Sequence, residues 1–162
     1  MMNKLSPITK NGLLKLEEER NNLMTVERPK IIKAIASARA LGDLSENAEY
    51  HSAREQQAFI ESRISTLDSL IASSKIVELS NKETYTQVQF GLTVTLLDID
   101  TDKETQYTIV GSSEIDLDKG YISYQTPLAK AMMNKGLGSE VTLSTPSNTK
   151  YYEIIKIEYV ES

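Results

Sequence analysis

Two hydrophobic periods divide the chain. Between residues 9 and 41 the apolar positions Leu13, Leu16, Leu23, Ile31, Ile35 and Ala38 fall three, four, seven or eight apart, the spacing of one helix face. In the next stretch Ala53, Gln57, Ile60, Ile64, Leu67, Ile71 and Ser74 alternate steps of four and three, a coiled-coil seam with two polar places. Each pattern covers about 30 residues, or roughly 45 Å of helix. Helices so polar are not stable alone, so the two seams are expected to pack on each other. Pro29 lies inside the first pattern, where it removes a backbone donor and crowds the preceding turn. The apolar spacing resumes at Ile31 and Ile32, so a bend is expected there and not a break. Gly42 ends the first helix. Only residues 42–45 separate the two patterns, which makes the helices antiparallel neighbours joined by a small, exposed turn.

Beyond Asn81 the period shortens to that of strands. Residues 88–97, 106–110, 121–124, 141–144 and 151–160 are rich in β-branched and aromatic side chains and are predicted strands. Thr126 and Pro127 supply an N-cap and a first-turn proline for a short helix through Leu128, Ala131 and Met132, ending near Gly136. Residues 146–149 turn the chain between the last two strands. The expected class is α+β: an antiparallel α-helical coiled-coil hairpin over residues 1–78, a linker at 79–84, and an antiparallel sheet packed on one helix over 85–162.

Composition narrows the chemistry. A chain of 162 residues with 40% hydrophobic content can bury a core, and it contains no cysteine and one histidine, His51. Thiolate metal sites and thiol nucleophiles are therefore excluded, and a Ser-His-Asp triad has no evident setting. There is no apolar run of the roughly 18 residues a membrane span needs and no signal-like start, so a cytoplasmic protein without membrane contact is expected. Net charge is −5, with acid and base balanced at 11 each over residues 1–79, so the acidic excess lies wholly in 80–162. An acidic protein does not bind nucleic acid over a broad surface; any such contact must be local.

The turn is where local chemistry concentrates. Asp43 and Glu46 straddle it, three residues apart. One reading is structural: Asp43 or Ser45 caps the second helix, and an early glutamate favours its positive end. An exposed Leu44 is harder to explain that way unless something receives it. The other reading is a divalent cation. Mg²⁺ takes six oxygens and usually only one or two carboxylates, so Asp43 and Glu46 make half a site, to be completed by another protein and a nucleic acid. Two-metal phosphoryl chemistry is the natural use. Arg39 and Arg54 should lie together about two helical turns below the tip, as a small patch able to grip phosphate. The competing reading for Arg54 is ion pairing with Glu49, Glu55 or Glu61. His51 beside the tip has the chemistry of a ligand or general base, and Tyr50 and Asn47 that of tip contacts; the plainer reading of all three is as hairpin residues engaged in local packing and hydrogen bonding.

The run AIASARALGDLSENAEYHSAREQQ over residues 34–57 closely resembles the signature of the bacterial Gre transcript cleavage factors. Glu27-Arg28-Pro29, Phe90-Gly91 with Val94, Ile109-Val110-Gly111, Ile122-Ser123 before Thr126-Pro127-Leu128-Ala129, and residues 152–159 extend the resemblance over nearly the whole chain. It implies a coiled-coil domain and an FKBP-like domain acting on bacterial RNA polymerase. The second domain would dock at the mouth of the secondary channel while the hairpin reaches the active centre. There Asp43 and Glu46 would help hold a shared Mg²⁺ and position the attacking water, so that the polymerase cleaves the 3′ end of backtracked nascent RNA. Arg39 and Arg54 would contact that RNA, and any DNA contact would be indirect, through the elongation complex. The protein would be a monomeric accessory factor and no enzyme in its own right; an FKBP-like fold does not imply prolyl isomerase activity. Two alternatives remain: a channel-binding modulator that does not promote cleavage, and a structural coiled-coil adaptor for which substitutions at the tip would change nothing.

Overall fold

The computed structural model describes residues 5–161, and the expected assignments of residues 1–4 and Ser162 lie outside them. The described chain forms two compact units: residues 13–74, and residues 5–12 together with 75–161.

The first unit is the hairpin. One arm runs through helix α1 (Lys10–Asn22), a single π-helical turn (Leu23–Glu27) and helix α2 (Arg28–Arg39); the other is helix α3 (Ala48–Ala72). The π turn is how the chain accommodates Pro29. The Arg28 N–H reaches back five residues to the Leu23 carbonyl, widening the helix just before the ring that would otherwise press on the preceding turn. The eight-residue step from Leu23 to Ile31 is one longer than a heptad, and the extra residue is taken up here, so both side chains still face α3. Ile31, Ile35, Ala53, Ile60 and Ile64 form the buried seam, with Leu23, Met24 and Tyr50 packed against it. Leu67 is completely buried and Leu16 nearly so. Each such side chain contributes about 1.5–3 kcal/mol by leaving water. Toward the turn the seam narrows to alanine, with Ala38 and Ala53 both buried. A shallow groove there is lined by Ala34, Ser37, Ala48 and Ser52 among others. Ion pairs flank the seam: Arg28 grips Glu61 with two bonds of 2.7 and 2.8 Å, Arg63 grips Glu19 at 3.0 and 2.8 Å, and Arg20 meets Asp68. All are substantially exposed, so they fix register more than they stabilise.

In the second unit a five-stranded sheet has the order β5-β4-β3-β7-β6, with β3 (Thr93–Asp98), β4 (Glu104–Val110), β5 (Tyr121–Ser123), β6 (Glu140–Ser144) and β7 (Thr149–Glu158). The class is α+β, as expected, but the sheet is mixed and not wholly antiparallel: β5 runs parallel to β4, pairing Thr108 with Tyr121. Residues 111–120 carry the chain back before it pairs, and Gly120 makes the re-entry. Its φ is +76°, and a Cβ there would stand 2.5 Å from the Gln106 carbonyl oxygen. Strand β3 starts five residues later than the apolar run at Val88, because Val88 instead bonds the Lys135 carbonyl beside the short helix. That helix, α4 (Pro127–Met132), is capped by Thr126 as the sequence predicts, the hydroxyl oxygen accepting from the Ala129 N–H at 3.3 Å. Ala129 and Met132 close the core over Val88, Val94, Leu96, Ile109, Ile122, Val141 and Ile154.

The unit boundaries differ from those read in the sequence. Strand β1 (Ser6–Ile8) pairs with β2 (Ser74–Ile76), and Thr9 is held by Glu114: the carboxylate accepts from the Thr9 N–H at 3.2 Å, from the Thr9 hydroxyl, and from the Gly111 N–H at 3.0 Å. Residues 79–84 likewise pack within the second unit, with the Ser80 N–H donating to the Tyr85 hydroxyl at 2.9 Å. Among the described residues no helix is long and apolar enough to cross a membrane.

Candidate functional site at the hairpin tip

Helix α2 gives way after Arg39, and Gly42 takes φ +132°, a backbone conformation that side-chain-bearing residues rarely adopt. The turn that follows is organised by two short polar side chains. Asp43 Oδ1 accepts from the Ser45 N–H at 3.0 Å and the Ser45 hydroxyl at 2.9 Å, an Asx turn. Neither Asp43 nor Ser45 caps α3, contrary to the structural reading of the sequence. Asn47 does so: its Oδ1 accepts from the Tyr50 N–H at 3.0 Å, and its backbone is extended at φ −88°, ψ 95°, as an N-cap requires. The Asn47 Nδ2 also donates to the Ala38 carbonyl across the hairpin at 2.7 Å. The sequence carries a signal for this, since Asn47 immediately precedes the first helical residue, but three capping residue types within five positions compete for the assignment.

The two carboxylates are thereby left for other partners. Asp43, Leu44 and Glu46 are exposed, and among the described residues no side-chain bond or ion pair engages Glu46 or the second oxygen of Asp43. The Ser45 N–H, followed by its hydroxyl, holds the Asp43 carboxyl below its ordinary pKa. Two hard-oxygen donors suit Mg²⁺, but no group of three or more acidic or histidine side chains among the described residues is placed to hold a metal. The donor set fits a cation as a half-site.

Arg39 lies over the Tyr50 ring, its guanidinium carbon 5.9 Å from the centroid. Tyr50 and Arg54 are four residues apart on α3, so the two arginines share one side of the hairpin. Arg54 is not paired with Glu49, Glu55 or Glu61; it reaches Gln57 at 3.5 Å, while Glu61 is taken by Arg28. Neither tip arginine belongs to a salt bridge among the described residues. His51 stands edge-on to Tyr50, with Nε2 3.4 Å from the Ser45 carbonyl.

The chain is thus a helical hairpin with an exposed carboxylate pair at its turn, followed by a small mixed sheet with one short helix. The model for "Transcription elongation factor, N-terminal" matches residues 6–76, and that for "Transcription elongation factor, GreA/GreB, C-term" matches residues 82–159. The chain is 51% identical to the transcription elongation factor GreA of Methylobacterium sp. (strain 4-46), covering 95% of this chain and 97% of that one. It is 45% identical to GreA of Xanthomonas axonopodis pv. citri (strain 306), covering 96% and 99%. A solved structure of GreA factor homolog 1 from Thermus thermophilus matches 96% of this chain and 99% of its own at 21% identity and a TM-score of 0.43. The chain belongs to the GreA/GreB family of transcription elongation factors.

Proposed function

We propose that this protein is an accessory factor of bacterial RNA polymerase that enters the secondary channel with its hairpin and stimulates cleavage of the 3′ end of backtracked RNA, releasing arrested complexes. The observation that carries the reading is the tip itself: two carboxylates on an exposed, hydrogen-bonded turn, with Glu46 and the second oxygen of Asp43 unengaged by any side chain among the described residues. Asp43 and Glu46 supply oxygens toward a Mg²⁺ shared with the polymerase and orient the attacking water by accepting its hydrogens. When bound, that ion offers Lewis-acid stabilisation of charge at the scissile phosphate. Arg39 and Arg54 hold the RNA strand by its phosphates, Arg39 steadied by the Tyr50 ring. The second unit docks on the enzyme's surface, and the factor works as a monomer in the bacterial cytoplasm.

The test presents a stalled, backtracked elongation complex with the protein and Mg²⁺ and follows shortening of the RNA. Asp43→Asn or Glu46→Gln should abolish the stimulation while polymerase binding survives. Equal stimulation by wild type and Asp43→Asn would sink the half-site, and polymerase binding without stimulation by wild type would favour the non-cleaving modulator. Arg54→Ala should weaken RNA positioning more than polymerase docking; equal loss of both would indicate a folding defect instead.

A further inference from the structure

We infer that Asn47 is a positioning residue of this site, a clasp that closes the loop carrying Asp43 and Glu46 and holds both carboxylates in working geometry. The inference rests on the cleavage reading above and adds a residue to it.

The geometry is a single side chain doing two jobs with opposite polarity. Its amide oxygen accepts from the Tyr50 N–H at 3.0 Å, and its amide nitrogen donates to the Ala38 carbonyl at 2.7 Å. The two anchors are fixed points. Ala38 is buried in the seam, and Tyr50 packs against the buried cluster. Between them the chain leaves the helical ladder, and Asp43 and Glu46 are fully outside the core. Apart from the clasp, backbone bonds tie the loop at its ends, from the Leu41 N–H to the same Ala38 carbonyl at 3.1 Å and from the His51 N–H to the Asn47 carbonyl at 3.1 Å. Its middle is held by Ser45 on Asp43 and by the 3.4 Å approach of His51 to the Ser45 carbonyl; of these side-chain contacts only the Asn47 amide spans from one arm to the other. Glu46 immediately precedes Asn47, so the clasp also fixes the backbone from which Glu46 projects.

Few side chains can replace it. Aspartate can cap but has no donor at neutral pH, and would face the Ala38 carbonyl with a second negative oxygen. Serine can cap but has one short hydroxyl. These substitutions therefore separate capping from clasping. Aspartate is a good N-cap and its charge favours a helix start, so Asn47→Asp keeps α3 intact while opening the loop.

The experiment uses the full-length protein on the backtracked elongation complex, with wild type, Asp43→Asn, Asn47→Asp and Asn47→Ser side by side. Helical circular dichroism, thermal midpoint and polymerase affinity should match wild type in both Asn47 variants. The cleavage rate at saturating factor should fall about 10- to 100-fold, the scale of a misplaced catalytic group. The Mg²⁺ concentration for half-maximal cleavage should rise, since a loosened pair holds the shared ion less well. Wild-type rate and Mg²⁺ dependence in Asn47→Asp and Asn47→Ser overturn the clasp. So does loss of activity that follows loss of folding or of polymerase binding, which makes Asn47 structural only. If wild type cleaves no faster than Asp43→Asn, the functional reading itself fails, and that outcome is distinct from the other two.

Discussion

At the turn, two hydrogen bonds from one serine act on the pKa of Asp43. Their direction is downward, so the carboxylate is ionised throughout the physiological range. The stability this contributes is present above the ordinary aspartate pKa and is lost only as pH falls through the lower, folded value. A change in tip activity between about pH 5 and 8 therefore does not arise from Asp43. Ser45→Ala removes the hydroxyl but leaves the N–H, so the Asp43 pKa should rise part of the way toward its ordinary value, as read by carboxyl carbon NMR titration. No rise would mean that the hydroxyl does not act on the carboxylate. At this scale the placement of Asp43 and Glu46 on an exposed turn was legible because a glycine between two apolar periods marks a turn, and the spacing then places its neighbours. Asn47 was not legible as the cap, since Asp43, Ser45 and Asn47 share the same capping chemistry and only backbone dihedrals select among them.

Among the helices, the seam carries the stability and the π turn carries the phase. Leu67 is fully buried, so Leu67→Ala should destabilise the hairpin by about 2–5 kcal/mol in denaturant melts. A loss below about 1 kcal/mol would show that the site collapses around the smaller side chain. Continuity of the arm past Pro29 was predictable from the apolar spacing that resumes at Ile31; the π turn that accompanies it corresponds in the sequence only to the eight-residue step that follows Leu23. In the sheet, strand positions followed from β-branched runs, whereas the parallel pairing of β5 did not. Pairing direction depends on where residues 111–120 lead the chain, and the left-handed Gly120 that permits it has no neighbour pattern to announce it.

Over the whole molecule, sequence distance hides the most consequential contact. Thr9 and Glu114 are 105 residues apart, and their bonds hold residues 5–12 in the second unit. Thr9 in turn caps α1, accepting from the Gly12 N–H at 3.0 Å. Glu114→Ala should strip hydrogen-exchange protection from Thr9, Gly12 and Gly111 while leaving α3 amides protected; unchanged protection would mean that β1 pairing alone secures the segment. Size along the hairpin also has a direction. The paired side chains shrink from leucine and isoleucine to Ala38 and Ala53 as the turn is approached, and backbones separated by alanine pack at the short end of the usual 8–10 Å range. A larger side chain at either alanine would have to push the two helices apart just below the turn, so this small pair sets how tightly the hairpin closes there.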